Sequence, residues 1–299
     1  MTIFVSVASY RDPELVRTVQ DCLARAARPD DLRIVVNWQH LGDEDVSPLT
    51  ADPRVELIEF DAGQSRGACW ARAQVMRHYS GEDWFLQVDS HTRFAPGWDQ
   101  RVIGLAAATG VPKPIVTCYP PTYEPSREFT GAGVPTETTV TGWSGDGLPI
   151  FGQRELPTGD GRPVPARFVA GGFLFAPGDL VREVPYDPYL YFHGEELTLS
   201  LRAYTWGYDL FHPTEVLAWH YYIREGSPRH WTDHTAAWPA WDKASRRRVN
   251  TLLRYPNYGR YGLGRTRPLS AYAAWSGCDF AHRKWTDWRT VTNATAGTP

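Results

Sequence analysis

Asp89 and His91, in the stretch FLQVDSHTRFAPGWD, are an acidic residue and a histidine spaced by one, directly behind an apolar run that reads as a buried strand. Alternate residues of an extended segment point the same way, so the two side chains can converge on one point while Ser90 turns aside. A carboxylate oxygen beside an imidazole nitrogen suits Mn2+ or a similar divalent ion, particularly one shared with phosphate oxygens. An Asp that caps the turn after a strand explains the same tripeptide about as well. A site assembled from two strand ends needs a third ligand from far away in sequence, and VLAWHYYIREGSPRHW offers His220, with Arg224 shortly after it. Strand histidines are more often packed or hydrogen-bonded than bound to metal, so His220 gains weight only in the company of the other two.

Two more stretches carry groups suited to a ligand. HGEEL places Glu195 and Glu196 at an expected helix start, where the helix dipole alone accounts for carboxylates. The chemical reading is that one of them accepts hydrogen bonds from sugar hydroxyls or orients an acceptor. AGGFLF brings Gly171 and Gly172, which fit either a bulge or a backbone opened to a closely approaching ligand.

The elements that must position these groups follow from periodicity. IFVSVA (3–8), RIVVNW (33–38), VELIEF (55–60), WFLQVD (84–89) and IVTCY (115–119) are strand candidates. After the first, Asp12 and Pro13 read as N-cap and first helical residue, with Leu15, Val19, Cys22, Leu23 and Ala26 at helical spacing. Ser65 is expected to cap a second helix carrying Ala68, Ala71, Val75 and Tyr79 on one face. Alternating strands and helices predict an α/β fold: a Rossmann-like, mostly parallel sheet with helices on both faces. Ligands of such sheets sit beyond the carboxyl ends of the strands, which selects ASYRD, the NW of the second strand and DSH.

Residues 120–165 turn to Pro, Gly and Thr with little periodicity, which predicts an irregular insertion. RFVAGGFLFA (167–176), DLFHP and VLAWHYY read as later strands, HGEELTLSLRAYTWG as the opening of a helix, and residues 242–253 as a last helix. Without an internal repeat or a clear linker, one domain is expected over residues 1–223, with 224–299 as a loop and C-terminal extension packed on it.

Composition bounds the function. With 299 residues, 42% of them apolar, the chain can bury a large core. A net charge of −3 carries no signal for nucleic acid or an anionic membrane, and the short run Arg246-Arg247-Arg248 reads as a solvated helix face. No stretch approaches the roughly 20 apolar residues of a membrane span. MTIFVSVASY enters a strand without a signal-peptide pattern, and Cys22, Cys69, Cys118 and Cys278 are widely separated. Buried free thiols in a reducing cytoplasm are therefore expected. The 13 Trp and 15 Tyr exceed what the core needs, and some of those rings could be stacking platforms in a sugar cleft, although packing explains most of them.

Taken in order, FVSVASYRDPEL, SRGACWAR, WFLQVDSHTRFAPGWD, AGGFLFA, YFHGEEL and YGLGRTRPLSAYAAWSGCDF resemble the GlcNAc-transferase family typified by the Skp1 hydroxyproline α-N-acetylglucosaminyltransferase. The likeness runs through nearly the whole chain, and the order of the motifs is more specific than any one of them. It implies a GT-A fold, a UDP-GlcNAc donor, Mn2+ or Mg2+, retention of anomeric configuration and a hydroxyl acceptor on a peptide, protein or natural product. DSH and HYYIREGSPRHW are also similar to polypeptide GalNAc-transferases, which share an Asp-x-His motif and a downstream His followed by a mobile, Arg-bearing loop.

By this resemblance Asp89, His91 and His220 bind the metal and Arg224 meets the diphosphate. Ser9, Tyr10 and Arg11 line the uridine pocket, Arg66 and Arg72 face the nucleotide, and Gly171, Gly172 and Glu195 hold the sugar. Glu195, Glu196 and Arg224 are the catalytic candidates, with a helix cap as the alternative for Glu196. Residues 225–234 are expected to close over the donor, and 120–165 to face the acceptor. Three alternatives stay open: another UDP-sugar with a saccharide acceptor, a sugar nucleotidyltransferase, and a non-catalytic carbohydrate-binding protein. The second normally carries a Gly-rich basic loop that SVASYRDPEL lacks, and the intact Asp89, His91, His220 and Arg224 set speaks against the third.

Overall fold

The computed structural model describes residues 1–42, 44–157, 159–224, 226–255 and 259–289. Runs rich in β-branched and aromatic residues form the strands β1 (Ile3–Tyr10), β2 (Leu32–His40), β3 (Val55–Asp61) and β4 (Trp84–Asp89). These four pair in parallel in the order β3-β2-β1-β4. The short β5 (Thr92–Phe94) and β6 (Pro114–Thr117) come next, then a hairpin of β7 (Thr136–Trp143) and β8 (Pro149–Glu155). With β9 (Val164–Pro165), β10 (Phe173–Pro177) and β11 (Asp209–His212), the eight-stranded sheet runs β3-β2-β1-β4-β10-β6-β11-β9. β12 (Ala218–His220) pairs with β5 outside that sheet, and near the C-terminus β13 (Cys278–Asp279) pairs with β14 (Lys284–Trp285).

Strand alternation covers both faces. Ile3, Val5 and Val7 of β1 join one apolar cluster with Leu15 and Val19 of helix Leu15–Arg25 and Trp98 and Val102 of helix Trp98–Ala108. Phe4 points the other way, into a cluster with Cys69 and Val75 of helix Ala68–Met76 and Leu197 and Leu201 of helix Glu195–Thr205. The predicted α/β fold is thus observed, with β9 and β10 as the antiparallel members of the main sheet. Because β10 runs against β4 with Phe173 opposite Val88, the start of one strand meets the end of the other, and Gly172 arrives beside Asp89.

Several boundaries differ from the sequence reading. The insertion is not simply irregular, since it folds the β7-β8 hairpin and contributes β9 to the sheet edge. The expected strand 167–176 is observed as 173–177; the glycine-containing segment before it turns into the site. Glu14, not Asp12, occupies the N-cap of the first helix, and Gly67 at φ 93 replaces Ser65 at the second. A Cβ on Gly67 would stand 2.3 Å from the Tyr191 carbonyl oxygen, so no larger residue fits there. Tyr79 lies past the end of its helix, the last-but-one long helix extends to Trp238–Arg254, and helices Trp98–Ala108 and Leu269–Ser276 were not foreseen.

Arg246 and Arg248 are half-buried in ion pairs with Asp242 and Asp187, so the triple-arginine run is a packed face with only Arg247 exposed. All four cysteines are buried and unpaired. Among the described residues no helix is long and apolar enough to cross a membrane. The C-terminal segment packs on the same body. Tyr272 is fully buried and donates to the Arg167 carbonyl at 2.9 Å. Gly264 approaches helix Glu195–Thr205 so closely that a Cβ would stand 2.4 Å from the Thr205 carbonyl oxygen.

His212, at the end of β11, gives the core a pH dependence. Its Nδ1 lies 2.9 Å from the Thr117 carbonyl and its Nε2 accepts from Thr138 N at 3.3 Å, an arrangement met by the neutral imidazole. Burial lowers its pKa to about 4 against the opposing pull of the Thr117 bond. A histidine depressed on folding stabilises fully above its unfolded value near 6.5, and that stabilisation is lost as pH falls through 6.5 toward 4. Wild type should therefore lose up to roughly 3 kcal/mol more than His212→Asn between pH 7 and pH 4, read from denaturant midpoints. Parallel curves would remove His212 from the account.

Candidate active site

β4 ends on Asp89, and the turn into β5 sets His91 two residues on. β12 pairs with β5 so that His220 lies opposite Thr92, and backbone bonds from His220 N to Pro121 O (2.9 Å) and Tyr221 N to His91 O (3.1 Å) fix the approach. One donor atom from each of Asp89, His91 and His220 lies within 4.8 Å of the others. Asp89 Oδ2 is 2.9 Å from His220 Nε2. That is the spacing of adjacent ligands each binding a cation at about 2.1 Å.

The charge states suit ligation, and the His220 hydrogen, which the ionised Asp89 places on Nε2 here, would have to move to Nδ1 for Nε2 to bind a cation. Burial lowers the His220 pKa although its bond to Asp89 opposes this, so the ring is neutral at pH 7, and its Nδ1 is buried without a partner. Burial alone would raise Asp89, but the charge of Arg72 and the His220 bond outweigh it and hold the carboxyl well below the usual range. A half-buried carboxylate and two buried imidazoles converge here, a donor set suited to a divalent cation.

Arg72, on helix Ala68–Met76, is buried beneath this group. Its Nη2 donates to Asp89 Oδ1 at 2.6 Å and to the Gly171 carbonyl at 3.2 Å, and its Nη1 to Glu195 Oε1. Tyr186 OH donates to the same Glu195 oxygen at 2.7 Å. Glu195 is thus the counter-ion of Arg72, and its bonded oxygen is committed to the protein. A Cβ on Gly171 would stand 3.1 Å from Glu195 Oε1 and 3.2 Å from Arg72 Nη1, so glycine lets the backbone enter the cluster.

Glu196 is placed differently. Gly171 N donates to its Oε1 at 2.7 Å and Tyr119 OH to its Oε2, while Gly194 occupies the N-cap of the helix with no side-chain cap. Burial lifts its pKa to about 7 against those two bonds.

Two cavities open from this centre and share Arg72, Asp89, Phe192, His220 and Tyr222. The larger, about 460 Å³, is walled by Gly171, Gly172, Tyr119 and Glu196 and by residues 148–151 of the hairpin. The smaller, about 290 Å³, is walled by Ala8, Tyr10, His91, Arg224, Arg229, His230 and Trp231. Of the 13 Trp, Trp231 alone lines either cavity, so the aromatic surplus is mostly packing.

Strand alternation sends Ala8 and Tyr10 toward the smaller cavity and Ser9 to the opposite side, where its hydroxyl is buried without a partner. Arg11, at φ 45, pairs with Asp233 at 2.8 Å, the same carboxylate oxygen that accepts from Tyr10 OH at 2.8 Å. Arg66 is exposed and outside the lining of both cavities. The segment expected to cover the donor begins at Glu225, which lies outside the described residues, as do residues 290–299. From 226 it runs into the short helix His230–Asp233 against the smaller cavity, and His234 Nε2 lies 3.1 Å from the Ala62 carbonyl.

Sequence reasoning passed over Asp12 as a site residue. It is 2% exposed and faces Ser90, His91 and Arg224 together. The signal was present, since ASYRD follows the first strand, but helix-cap statistics claimed it. Tyr119 and Tyr222 were also passed over, as was His193, whose Nδ1 lies 2.5 Å from Asp242 at the rim of the larger cavity.

A family model described as Glycosyltransferase (GlcNAc) matches residues 2–53 and 43–282. The chain belongs to this family. No curated protein matches it. Among solved structures, GalNAc-T7 with UDP, GalNAc and Mn2+ is similar at 15% identity and TM-score 0.58, over 99% of this chain and 57% of that one. S. aureus TarS 1-349 in complex with UDP-GlcNAc is similar at 12% identity and TM-score 0.54, over 95% of this chain and 69% of that one. The chain thus spans a little over half of the GalNAc-T7 chain, and at these identities the likeness shows the fold, that of the GT-A glycosyltransferases.

The buried ion set makes Arg72 structurally exacting. Arg72→Met should strand Asp89 and Glu195 without their cation and cost about 3–5 kcal/mol, measured by urea unfolding at pH 7. A loss under about 1 kcal/mol would mean that water already screens the cluster.

Proposed function

We propose that the chain is a retaining glycosyltransferase that moves GlcNAc from UDP-GlcNAc to a hydroxyl of a peptide, protein or natural-product acceptor. The observation that carries this reading is the convergence of Asp89, His91 and His220 where the two cavities meet. The family match supports the chemistry, and the neighbours solved with UDP and Mn2+ and with UDP-GlcNAc support the donor and the ion. A mixed carboxylate and imidazole set suits Mn2+ better than Mg2+, which favours all-oxygen shells.

The smaller cavity, between Tyr10 and Trp231, takes the nucleotide; the larger takes the sugar and the acceptor. As the C1–O bond to UDP breaks, positive charge grows on the sugar ring and negative charge on the diphosphate. Asp89, His91 and His220 would hold a divalent cation, which when bound would neutralise charge on those leaving oxygens. Arg224, in the wall of the smaller cavity, adds a second positive group to the same oxygens. In the retaining course the acceptor hydroxyl attacks from the leaving-group side and a phosphate oxygen takes its proton. Glu196, held by Gly171 N and Tyr119 OH, presents a carboxyl to hydroxyls in the larger cavity.

Leu148, Pro149, Ile150 and Phe151 give the insertion an apolar wall on that cavity, which supports reading 120–165 as the acceptor side of a catalytic domain spanning 1–223. The segment from 225 to 234 acts as a cover over the donor, and 224–299 as an extension of the same body. Four buried, unpaired thiols support a reducing, cytoplasmic setting.

UDP release measured over a panel of UDP-sugars, with and without Mn2+, tests the activity. Release should require Mn2+ and be greatest with UDP-GlcNAc, and Asp89→Ala and His91→Ala should each abolish Mn2+-dependent UDP binding. Intact binding in both variants overturns the cation site; UTP and sugar 1-phosphate formed from a UDP-sugar when pyrophosphate is supplied, with no UDP released, identifies a nucleotidyltransferase. For the cover, limited proteolysis between 225 and 234 should slow when UDP and Mn2+ are added together. Equal cleavage in both conditions would count against closure.

A further inference from the structure

We propose that Asp12 is a positioning residue whose single buried carboxylate fixes His91 for a divalent cation and docks Arg224 beside it. The inference rests on the cation reading of Asp89, His91 and His220. Asp12 lies two residues beyond β1, past Arg11 in its left-handed conformation, and is 2% exposed. Its Oδ1 accepts from Glu14 N at 3.0 Å, which ties it to the start of the first helix. Its Oδ2 accepts from Ser90 Oγ at 2.7 Å and from Arg224 Nη1 at 2.9 Å, and lies 2.6 Å from His91 Nδ1.

Those three partners come from the β4-β5 turn and from the segment after β12. An ionised carboxylate only accepts, so the hydrogen on His91 must sit on Nδ1. That leaves the Nε2 lone pair for a cation, the arrangement in which a carboxylate behind a histidine sets its tautomer and ring orientation. The same oxygen holds the Arg224 guanidinium at the wall of the smaller cavity. Ser90 is explained as well: it does not simply turn aside from Asp89 and His91 but supplies the third donor to Asp12. A carboxylate that served only to close the β1 loop would need the Glu14 bond alone.

The test uses the full chain. The imidazole 15N shifts of His91 in metal-free wild type should report the Nδ1–H tautomer, and this measurement depends on no variant folding. Asp12→Ala should give a tautomer mixture and weaken Mn2+ binding in the presence of UDP about 10- to 100-fold by calorimetry. Asp12→Asn keeps an acceptor oxygen without the charge, so it should retain the tautomer and most of the Mn2+ affinity while UDP binding falls through loss of the Arg224 ion pair. An Nε2–H tautomer in wild type overturns the proposal. So does Mn2+ binding by Asp12→Ala within about threefold of wild type when Asp89→Ala has lost it. If wild type itself binds no Mn2+ with UDP present, the cation reading fails, and this inference with it.

Discussion

A guanidinium buried as deeply as Arg72 cannot stand in the interior without anions around it. Moving an ion from water into the protein costs several kcal/mol even after relaxation, and Arg72 takes two carboxylates in with it. Its bonds reach Asp89 at the end of β4, Glu195 at the start of a helix, and the Gly171 carbonyl just before β10. Three segments far apart in sequence are held at one point by one side chain. Burial would lower its pKa, but the charges of Glu195 and Asp89 outweigh this and hold it well above the ordinary value, so the charge persists at any working pH. The orientation of Asp89 toward His220 depends on this, because Arg72 occupies Oδ1 and leaves Oδ2 for the second face.

The neighbouring carboxylates of HGEEL show what the same residue type becomes in two environments. Glu195 meets a full positive charge; Glu196 meets a backbone N–H and a phenol, both neutral. Neutral donors recover less of the desolvation cost than a guanidinium does, and the pKa of Glu196 stays near 7. The helix dipole, which the sequence offered as sufficient explanation for both, acts on both alike and does not account for their different partners.

How far the sequence could be read follows the range of the interactions. β1 through β4 were legible because their apolar runs are local signals, and the pair Asp89 and His91 because alternation in an extended segment is local too. Ser9, expected in the uridine pocket from the family resemblance, lies outside the lining of the smaller cavity because alternate residues of β1 face opposite sides. The β7-β8 hairpin escaped because its strands are half-buried and rich in Thr and Gly, so a polar pattern hid their pairing. Asp12 was visible as a residue type but not as a partner: its three donors lie about 80 and more than 200 positions away, and no window contains them. His220 could be nominated only as company for the other two, since its register against Thr92 is set by tertiary contact.

The geometry of the two cavities adds a constraint that no single residue states. They share Arg72, Asp89, His220, Phe192 and Tyr222, so whatever occupies both at once must pass its middle across the triad. A molecule with one end in each cavity has to carry a junction there that tolerates a carboxylate, two imidazoles and the guanidinium of Arg224 nearby. Arg224 and Arg72 already have carboxylate partners in Asp12, Asp89 and Glu195, so an anionic junction such as the proposed diphosphate would need the added positive charge that a divalent cation at Asp89, His91 and His220 would supply. The antiparallel run of β10 brings Gly171 and Gly172 to the wall of the larger cavity, where a Cβ on Gly171 would stand 3.1 Å from Glu195 Oε1 and one on Gly172 3.5 Å from Asp89 Oδ2.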